Sequence, residues 1–460
     1  MANWAPTLRS LRTVLVALVV APLRPAPVAP LLMDPARRER LYRAWQWRIF
    51  LSVTIGYGLF YTTRMPLSVA KKPLLDSGLL SAAQLGQVGS ALLASYAVGK
   101  AVNGFLGDRI HLQRFFLLGL TLSALTNLLF GVSSSFLLFV WLWGINGWFQ
   151  SVGATTSGIS LGSWFPPRAL GTRYGWWSLS HNLGEALTFV VTTALISGFG
   201  WRWGFLGPGL LCLVGAAVMT RTLADRPHSL GLTLPPAVPE QEVGQAEVSV
   251  LSLQLGVLQN PLVWTLALAS ACMYVTRYAL TNWGMLLLQT EKGQTLNEAG
   301  RSLSLFPLVG AVGSVVSGMA SDRLFAGRRG ELALACGVLL GLGLAAVLYL
   351  PGEQHLLLRV ALGVAGFATG AQLVFLGGLS AMERCDRRAA GAALGLVGGV
   401  SYVGASLQDL ASGRLIQALP GGRYDFAAVK PVWLLAAAAS VVLTLPLVFV
   451  EQRARRRRVG

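Results

Sequence analysis

Long apolar segments alternate with short polar ones along almost the whole chain. The segments 115–130, 332–350 and 432–450 are apolar enough to span the hydrocarbon core of a bilayer. Helices of a soluble domain of this length would not be apolar on all faces in so many segments. Apolar length and loop punctuation predict about twelve spans. We therefore expect an all-α, multi-pass membrane protein with spans centred near Gly56, Ala97, Leu122, Gly144, Leu187, Leu211, Ser270, Gly313, Leu340, Gly366, Gly399 and Val441.

The distribution of positive charge predicts the orientation of these spans. The chain is 54% hydrophobic and 12% charged, with a net charge of +18. Basic clusters fall at every second loop and at both termini, which the positive-inside rule assigns to the cytoplasm of a cell (inner or plasma) membrane. The terminal cluster has no interleaved aromatic residues, so we expect no nucleic-acid binding. The other loops are poorer in basic residues, with Lys71, Lys72, Arg202, Lys292, Arg359 and Arg423 as the main exceptions.

Composition shifts divide the chain into five segments. Residues 1–46 are expected to be an N-terminal cytoplasmic segment, with Met33 as the translation start, because the apolar run Val14–Leu23 is too short to span and prolines follow it. Residues 47–222 form a first six-helix bundle, and 223–260 form a polar, proline-rich cytoplasmic linker. Residues 261–450 form a second six-helix bundle. The basic tail, 451–460, is expected to lie near anionic lipid headgroups.

Three sequence correspondences at a spacing of about 215 residues indicate a duplication. They predict two six-helix bundles, related as parallel repeats, around a central cavity. The matched pairs are Gly104–Arg109 with Gly318–Arg323, Ala169–Gly184 with Ala389–Gly404, and Tyr61-Thr-Thr-Arg64 with Tyr274-Val-Thr-Arg277.

The paired Tyr-x-Thr-Arg motifs are the strongest chemical signal. A guanidinium group keeps its charge in a protein, and a charge inside a bilayer costs a few kcal/mol or more. Such arginines are usually functional, although snorkelling to the interface or pairing with a structural acid is the alternative. The matching positions of Arg64 and Arg277 in the two halves predict a site that binds an anion. Each planar guanidinium group can donate two parallel hydrogen bonds to phosphate oxygens, which the ammonium group of lysine cannot do.

The repeated Gly-x-x-x-Asp-Arg motif resembles the loop motif of the major facilitator superfamily. More specifically, the chain resembles the organophosphate:inorganic phosphate antiporter family, which includes hexose-phosphate and glycerol-3-phosphate transporters and a hexose-phosphate sensor. The resemblance extends from about Tyr42 onward and implies the major facilitator fold. The matching segments are Gly56–Arg64, Tyr96–Lys100, Asn146–Gln150, Ser180–Gly184, Asp225–Leu232, Asn260-Pro261 and Tyr274–Trp283.

The resemblance also implies which residues line the substrate cavity. Arg64 and Arg277 match the arginines that bind phosphate in the family, and Lys100 and His181 match cavity residues. Alone, His181 would more often be a packing residue, and bare tyrosines are as often interface anchors. The tyrosines expected at the cavity are Tyr57, Tyr61, Tyr96, Tyr274 and Tyr402.

Two acids depart from the family pattern. Glu185 lies one turn after His181, where the family usually has glycine, and Asp409 interrupts the eleventh span. Either they form ion pairs with Lys100 or an arginine, or they carry protons for coupling. Four further residues at the ends of spans are expected to act as gate parts rather than substrate ligands: Asp108, Arg109, Asp322 and Arg323.

These features predict a secondary transporter of a sugar phosphate or glycerol phosphate that exchanges it for inorganic phosphate. Two alternatives stay open: a hexose-phosphate sensor that signals to a partner kinase, and a proton-coupled symporter of another organic anion. The sequence has no phosphate-binding loop of the ATPase type, no nucleophile–base pair and no metal-ligand cluster. We therefore expect no enzymatic activity, no cofactor and no metal, in a monomer surrounded by lipid.

Overall fold

The computed structural model describes residues 23–107, 109–232, 250–323, 329–376, 380–382, 385, 390–420 and 422–459. A short 3₁₀ helix, Pro227–Leu230, follows the seventh α-helix. The α-helices in this part of the chain are α1 (Pro35–Thr62), α2 (Pro66–Asp76), α3 (Ala82–Gly107), α4 (Leu112–Val132), α5 (Phe136–Trp164), α6 (Pro167–Phe199), α7 (Trp203–Thr222), α8 (Val250–Gln259), α9 (Pro261–Thr290), α10 (Leu296–Arg323), α11 (Arg329–Tyr349), α12 (His355–Val374), α13 (Ser380–Met382), α14 (Ala390–Leu415) and α15 (Lys430–Val459).

The predicted spans correspond to these helices. Each of the twelve expected centres lies in a different long helix, which confirms the all-α membrane architecture. Seven of the described helices are long and apolar enough to cross a membrane by themselves: α4, α6, α7, α10, α11, α12 and α15. The helices α8 and α9, bent by 63° at the break before α9, would add an eighth span. The long helices α1, α3, α5 and α14 do not meet this criterion by themselves.

The helices pack as two groups that correspond to the two halves of the sequence. In the first half, α1 packs against α6 and α7, while α5 packs against α3 and α4. In the second half, α12 packs against α10 and α11, while α15 packs against α9 and α11. Three helix pairs join the halves: α3 with α14, α6 with α10, and α2 with α9. Residues on these six helices can therefore meet at the centre of the molecule.

Glycines show where the two halves touch. A Cβ atom on Gly86 of α3 would lie 2.6 Å from the carbonyl oxygen of Asp409 in α14. A Cβ atom on Gly300 of α10 would lie 2.7 Å from the carbonyl oxygen of Phe189 in α6. Only residues without a side chain allow backbones to approach this closely. The halves are therefore joined where α3 and α10 begin, and we call this the closed end.

The halves separate toward the opposite end. The antiparallel contact of α3 with α14 continues to Lys100 and Gly398, where a Cβ on the glycine would lie 2.9 Å from the lysine Nζ. Beyond that point, a Cβ on any of four glycines would meet no described atom within 4 Å: Gly104, Gly175, Gly318 and Gly395. We call this the open end. It is the end where α3 and α10 finish, next to the predicted basic loops.

Two segments differ from the helix-only expectation. A small antiparallel hairpin of β1 (Gln417–Leu419) and β2 (Arg423–Asp425) connects α14 to α15 at the closed end. In the expected linker, residues 250–259 form α8, so its last part is helical rather than irregular. Residues 233–249 of that linker lie outside the described residues.

The segment that precedes α1 packs against two loops at the open end. The carbonyl oxygen of Leu23 accepts a hydrogen bond from the His111 backbone at 2.7 Å. The Ala26 backbone donates to the Asp225 carboxylate at 2.9 Å. Both residues precede Met33, the expected translation start, and the contacts tie them to the ends of α3 and α7. Most of the apolar run 14–23 lies outside the described residues.

Candidate anion site between the two halves

The first span is interrupted where its arginine lies. The first helix ends at Thr62, and α2 begins at Pro66, because proline has no N–H to donate to the carbonyl oxygen four residues before it. Arg64 therefore lies in the break, at the centre of the molecule rather than on a regular helix. Its side chain is 4% exposed.

Three amide side chains stabilise this break. The carbonyl oxygen of Thr63 accepts hydrogen bonds from Asn127 at 2.8 Å and from Asn146 at 2.9 Å. The carbonyl oxygen of Phe60 accepts one from Gln150 at 2.8 Å. Backbone groups freed inside a membrane need such partners. Sequence reasoning noted the segment Asn146–Gln150 without a role; the signal was the presence of amides in otherwise apolar helices.

The Arg64 guanidinium group is surrounded by aromatic rings. Its Nη2 donates to the hydroxyl of Tyr278 at 2.7 Å. Its central carbon lies 4.4 to 5.9 Å from the ring centres of Tyr61, Tyr96, Tyr278 and Tyr402, within the range of cation–π attraction. Among the described residues, no carboxylate pairs with this arginine, and its Nε has no hydrogen-bond partner. The positive charge is buried without an opposite charge.

Arg277 lies in an unbroken helix and has a different partner. Its side chain is 5% exposed, and its Nη2 donates to Oε2 of the buried Glu185 at 3.0 Å. Its central carbon lies 5.6 Å from the ring centre of Tyr278. Arg64 and Arg277 therefore approach the same ring, one from each half. Neither points into lipid.

The other predicted site residues join the same cluster of rings. Tyr402 lies 4.4 Å from Tyr96 and 5.3 Å from Tyr274, between ring centres, and Lys100 Nζ lies 5.7 Å from the Tyr402 ring. Tyr61 lies 5.7 Å from His181. Tyr57 lies 5.5 Å from Tyr61 and stacks on Trp177 at 4.8 Å. The structure thus brings all nine expected substrate-binding residues into one network, to which it adds Tyr278.

A second buried ion pair lies at the closed end. Lys71 was assigned to a loop, but it lies in α2 with a side chain that is 1% exposed. Its Nζ lies 3.4 Å from the Asp409 carboxylate and 3.3 Å from the Trp283 ring centre. Trp283 Nε1 donates to the same carboxylate at 2.5 Å. Asp409 therefore pairs with Lys71, and with neither Lys100 nor any arginine that the structure describes. The pair links α2 of one half to α14 of the other.

Two small cavities adjoin the arginines. The first extends from Arg64 toward Lys71 and Asp409, and Ser68 and Asn282 also line it. The second lies among α6, α9, α10 and α12, and its lining includes Arg277, Glu185, Asn182, Phe306 and Thr369. Each cavity is bounded by residues of both halves. An anion at the centre would thus contact both bundles.

The expected gate residues are only partly described. Asp108 lies outside the described residues. Arg109 follows the end of α3 and is exposed. Asp322 and Arg323 are the last two residues of α10, at the open end. Their placement at helix ends agrees with the duplicated motif, and their role as gate parts stays a prediction.

The comparison with known proteins identifies the family. The Major Facilitator Superfamily profile matches residues 53–408, so the chain belongs to this family of membrane transporters. It is 32% identical to the membrane sensor protein UhpC of Salmonella typhimurium, over 93% of this chain and 97% of that protein. It is 35% identical to a probable hexose phosphate transport protein of Chlamydia pneumoniae, over 82% of this chain and 86% of that protein.

Solved structures support the fold alone. A crystal structure of a point mutant of the nucleoside transporter NupG aligns with a TM-score of 0.69 at 14% identity, covering 87% of this chain and 98% of that one. Because the identity is this low, nothing about the ligand of this chain follows from the alignment.

Proposed function

We propose that this protein is a secondary active transporter of a small organic phosphate ester, such as a sugar phosphate or glycerol phosphate, and that it exchanges this solute for inorganic phosphate. The observation that carries the proposal is the Arg64 guanidinium, buried at 4% exposure with a phenol hydroxyl as its hydrogen-bond partner. A buried charge without an opposite charge is costly. An anionic phosphate group supplies the missing charge, and its oxygens can accept two parallel hydrogen bonds from the guanidinium group.

Local charge supports a phosphate ester as the ligand. Glu185 offsets Arg277, and Asp409 offsets Lys71. Arg64 and Lys100 have no carboxylate partner among the described residues, so the centre carries two uncompensated positive charges. A phosphate monoester carries a charge of about −1.5 to −2 at neutral pH, which balances them. A neutral sugar would leave both charges without compensation.

Alternating access follows from the position of the site between the halves. Arg64 belongs to the first bundle and Arg277 to the second, and both lie against Tyr278. A phosphate group that bridges the two arginines would draw the bundles together and couple binding to movement. The positive-inside pattern supports a cytoplasmic position for both termini. The open end therefore faces the cytoplasm, and the closed end faces the outside of a cell (inner or plasma) membrane.

A second candidate function is sensing. The similarity to the sensor UhpC covers almost the whole length of both proteins, and a sensor needs the same anion site without net transport. The third reading, proton-coupled symport of another organic anion, requires Glu185 or Asp409 to release its cation and take a proton. Both carboxylates are held in buried ion pairs. Neither reading involves catalysis or a cofactor.

Transport assays in reconstituted vesicles distinguish these three hypotheses. Proteoliposomes are preloaded with inorganic phosphate, and uptake of labelled glucose 6-phosphate is measured with and without a proton gradient. Exchange that needs internal phosphate supports antiport. Uptake driven by the proton gradient in phosphate-free vesicles would replace antiport with symport. Saturable binding without uptake would identify a sensor.

Two arginine variants test the site itself. Arg64→Lys keeps the positive charge but loses the planar guanidinium group and its pair of parallel hydrogen bonds. We therefore expect the affinity for glucose 6-phosphate to fall by about 10- to 100-fold. The matched control is Arg202→Lys, in the loop before α7, where the guanidinium group contacts Ser133 and Ser134. The control should keep the affinity of the unmodified protein. Equal losses in both variants would refute the proposed site.

A further inference from the structure

Glu185 has one carboxylate oxygen that the fold leaves without a partner. The side chain is completely buried, and its Oε2 accepts the bond from Arg277. Its Oε1 has no hydrogen-bond partner among the described residues. A buried, unsatisfied carboxylate oxygen costs about 1–3 kcal/mol or more. The position is therefore suited to a donor that arrives with a ligand.

The backbone that carries Glu185 is held firmly in place. A Cβ on the neighbouring Gly184 would lie 2.6 Å from the carbonyl oxygen of Gly58 in α1, so α6 and α1 are in direct backbone contact. One turn later, Thr188 bonds the carbonyl oxygen of Gly184 at 2.7 Å. The backbone at Glu185 consequently has little freedom to withdraw when an anion reaches Arg277.

Glu185 and Arg277 line the same cavity. The rest of its lining offers amide and hydroxyl groups, from Asn182 and Thr369, and apolar surface from Phe306, Pro307 and Leu373. No other charged side chain lines this cavity among the described residues. An anion bound to Arg277 therefore meets a single carboxylate, held 3.0 Å from the guanidinium nitrogen.

The chemistry of tetrahedral anions decides which of them tolerates this carboxylate. Sulfate and sulfate esters carry no acidic proton near neutral pH, so they present only acceptor oxygens and are repelled. A phosphate monoester has its second pKa near 6, and its monoanion retains a P–OH group. That hydroxyl can donate to Glu185 Oε1 while the other oxygens accept from the arginines.

We infer that Glu185 is a specificity-determining residue that accepts a hydrogen bond from the bound solute and so selects phosphate and phosphate monoesters over fully ionised oxyanions such as sulfate. The inference rests on the proposed function, because it assigns a role at the same anion site. The proton stays on the solute, and no bond is made or broken. Glu185 thus acts by repelling ligands that lack a donor.

The test compares two inorganic probes of the same shape, phosphate and sulfate. Binding to the purified full-length protein is measured by calorimetry at pH 6.5 for the unmodified chain and for Glu185→Gln. We expect the unmodified protein to prefer phosphate by at least about 10-fold, since a charged hydrogen bond contributes on this scale. Glu185→Gln should reduce the preference to less than about 3-fold, mainly through tighter sulfate binding, because the amide can donate to sulfate.

The matched control is Glu291→Gln. It removes a carboxylate from another ion pair, with Lys430 at 2.5 Å, in a loop at the closed end. The control should keep the phosphate preference of the unmodified protein. An unchanged preference in Glu185→Gln, or an equal loss in Glu291→Gln, overturns the inference.

A second measurement needs no variant and covers the case in which Glu185→Gln does not fold. Methyl phosphate, which retains an acidic proton, is compared with methyl sulfate and dimethyl phosphate, which do not. We expect methyl phosphate to bind the unmodified protein at least about 10-fold more tightly than either. Equal affinity of the three probes overturns the inference. Failure of the proposed function looks different, because then no probe binds, or binding is indifferent to Arg64→Lys.

Discussion

The two Tyr-x-Thr-Arg motifs place their arginines against one ring, yet each half holds its arginine differently. Arg64 lies in a helix break, bonded to a phenol and surrounded by tyrosine rings. Arg277 lies within a continuous helix and bonds the carboxylate of Glu185. The motif determines where a charge is buried, whereas the neighbouring helix determines whether that charge is compensated. Within the described part of the chain, the arginine of the first half therefore has no carboxylate partner, whereas the arginine of the second half is paired with Glu185.

The largest expected effect concerns stability. Arg277→Gln leaves Glu185 buried without a cation, and we expect the free energy of unfolding to fall by about 3–5 kcal/mol. Arg64→Gln leaves no described carboxylate without its cation, so it should change the free energy of unfolding by no more than about 1 kcal/mol. Denaturation in detergent micelles measures both. Adding Glu185→Gln to Arg277→Gln should recover most of the loss. Equal losses of unfolding free energy in the two single variants would show that the two arginines do not differ in charge compensation.

The second prediction compares the central ion pair with the pair at the closed end. Lys71→Met leaves the Asp409 carboxylate with neutral donors such as Trp283 and without a cation, at a cost of about 1–3 kcal/mol. Because Lys71 and Asp409 belong to different halves, we expect the closed end to open more often. Spin labels at positions 81 and 419, in a background without native cysteines, should report a new population at longer distance.

A neighbouring lysine provides the control for this opening. Lys72 bonds Asp76 one turn away in the same helix, and such a surface pair contributes at most about 1 kcal/mol. Lys72→Met should therefore keep the distance distribution of the unmodified protein. The double variant Lys71→Met with Asp409→Asn should return toward it, because no charge is then left unpaired. A distance distribution unchanged by Lys71→Met would show that this ion pair does not help to hold the closed end together.

The smallest expected effect concerns the partner of Arg64. Tyr278→Phe removes the hydroxyl that accepts from the Arg64 guanidinium, and we expect a loss of about 1 kcal/mol in the free energy of unfolding. Tyr274→Phe is the matched control one turn earlier in α9, and its effect should stay within about 0.5 kcal/mol. Losses of equal size in both variants would mean that ring packing, and not the hydrogen bond, holds Arg64 in place.

Much of the fold was predictable because helical spans are local features. Apolar length located all twelve long helices, since a span needs about 20 apolar residues wherever it lies in the chain. The break after Thr62 was not predicted, although Pro66 signalled it, because the apolar pattern continues across it. Lys71 was also misplaced: it was counted among the basic residues of the loops between spans, whereas it lies within α2.

The sequence by itself determined the number of long helices, the two buried arginines and the residue types around them. Periodicity within one segment and the cost of a charge in hydrocarbon are enough for those conclusions. The tertiary structure alone decided that Arg277 is compensated by a residue 92 positions away and Lys71 by one 338 positions away. Such pairings depend on which helix faces which, and this is fixed by close packing between distant segments.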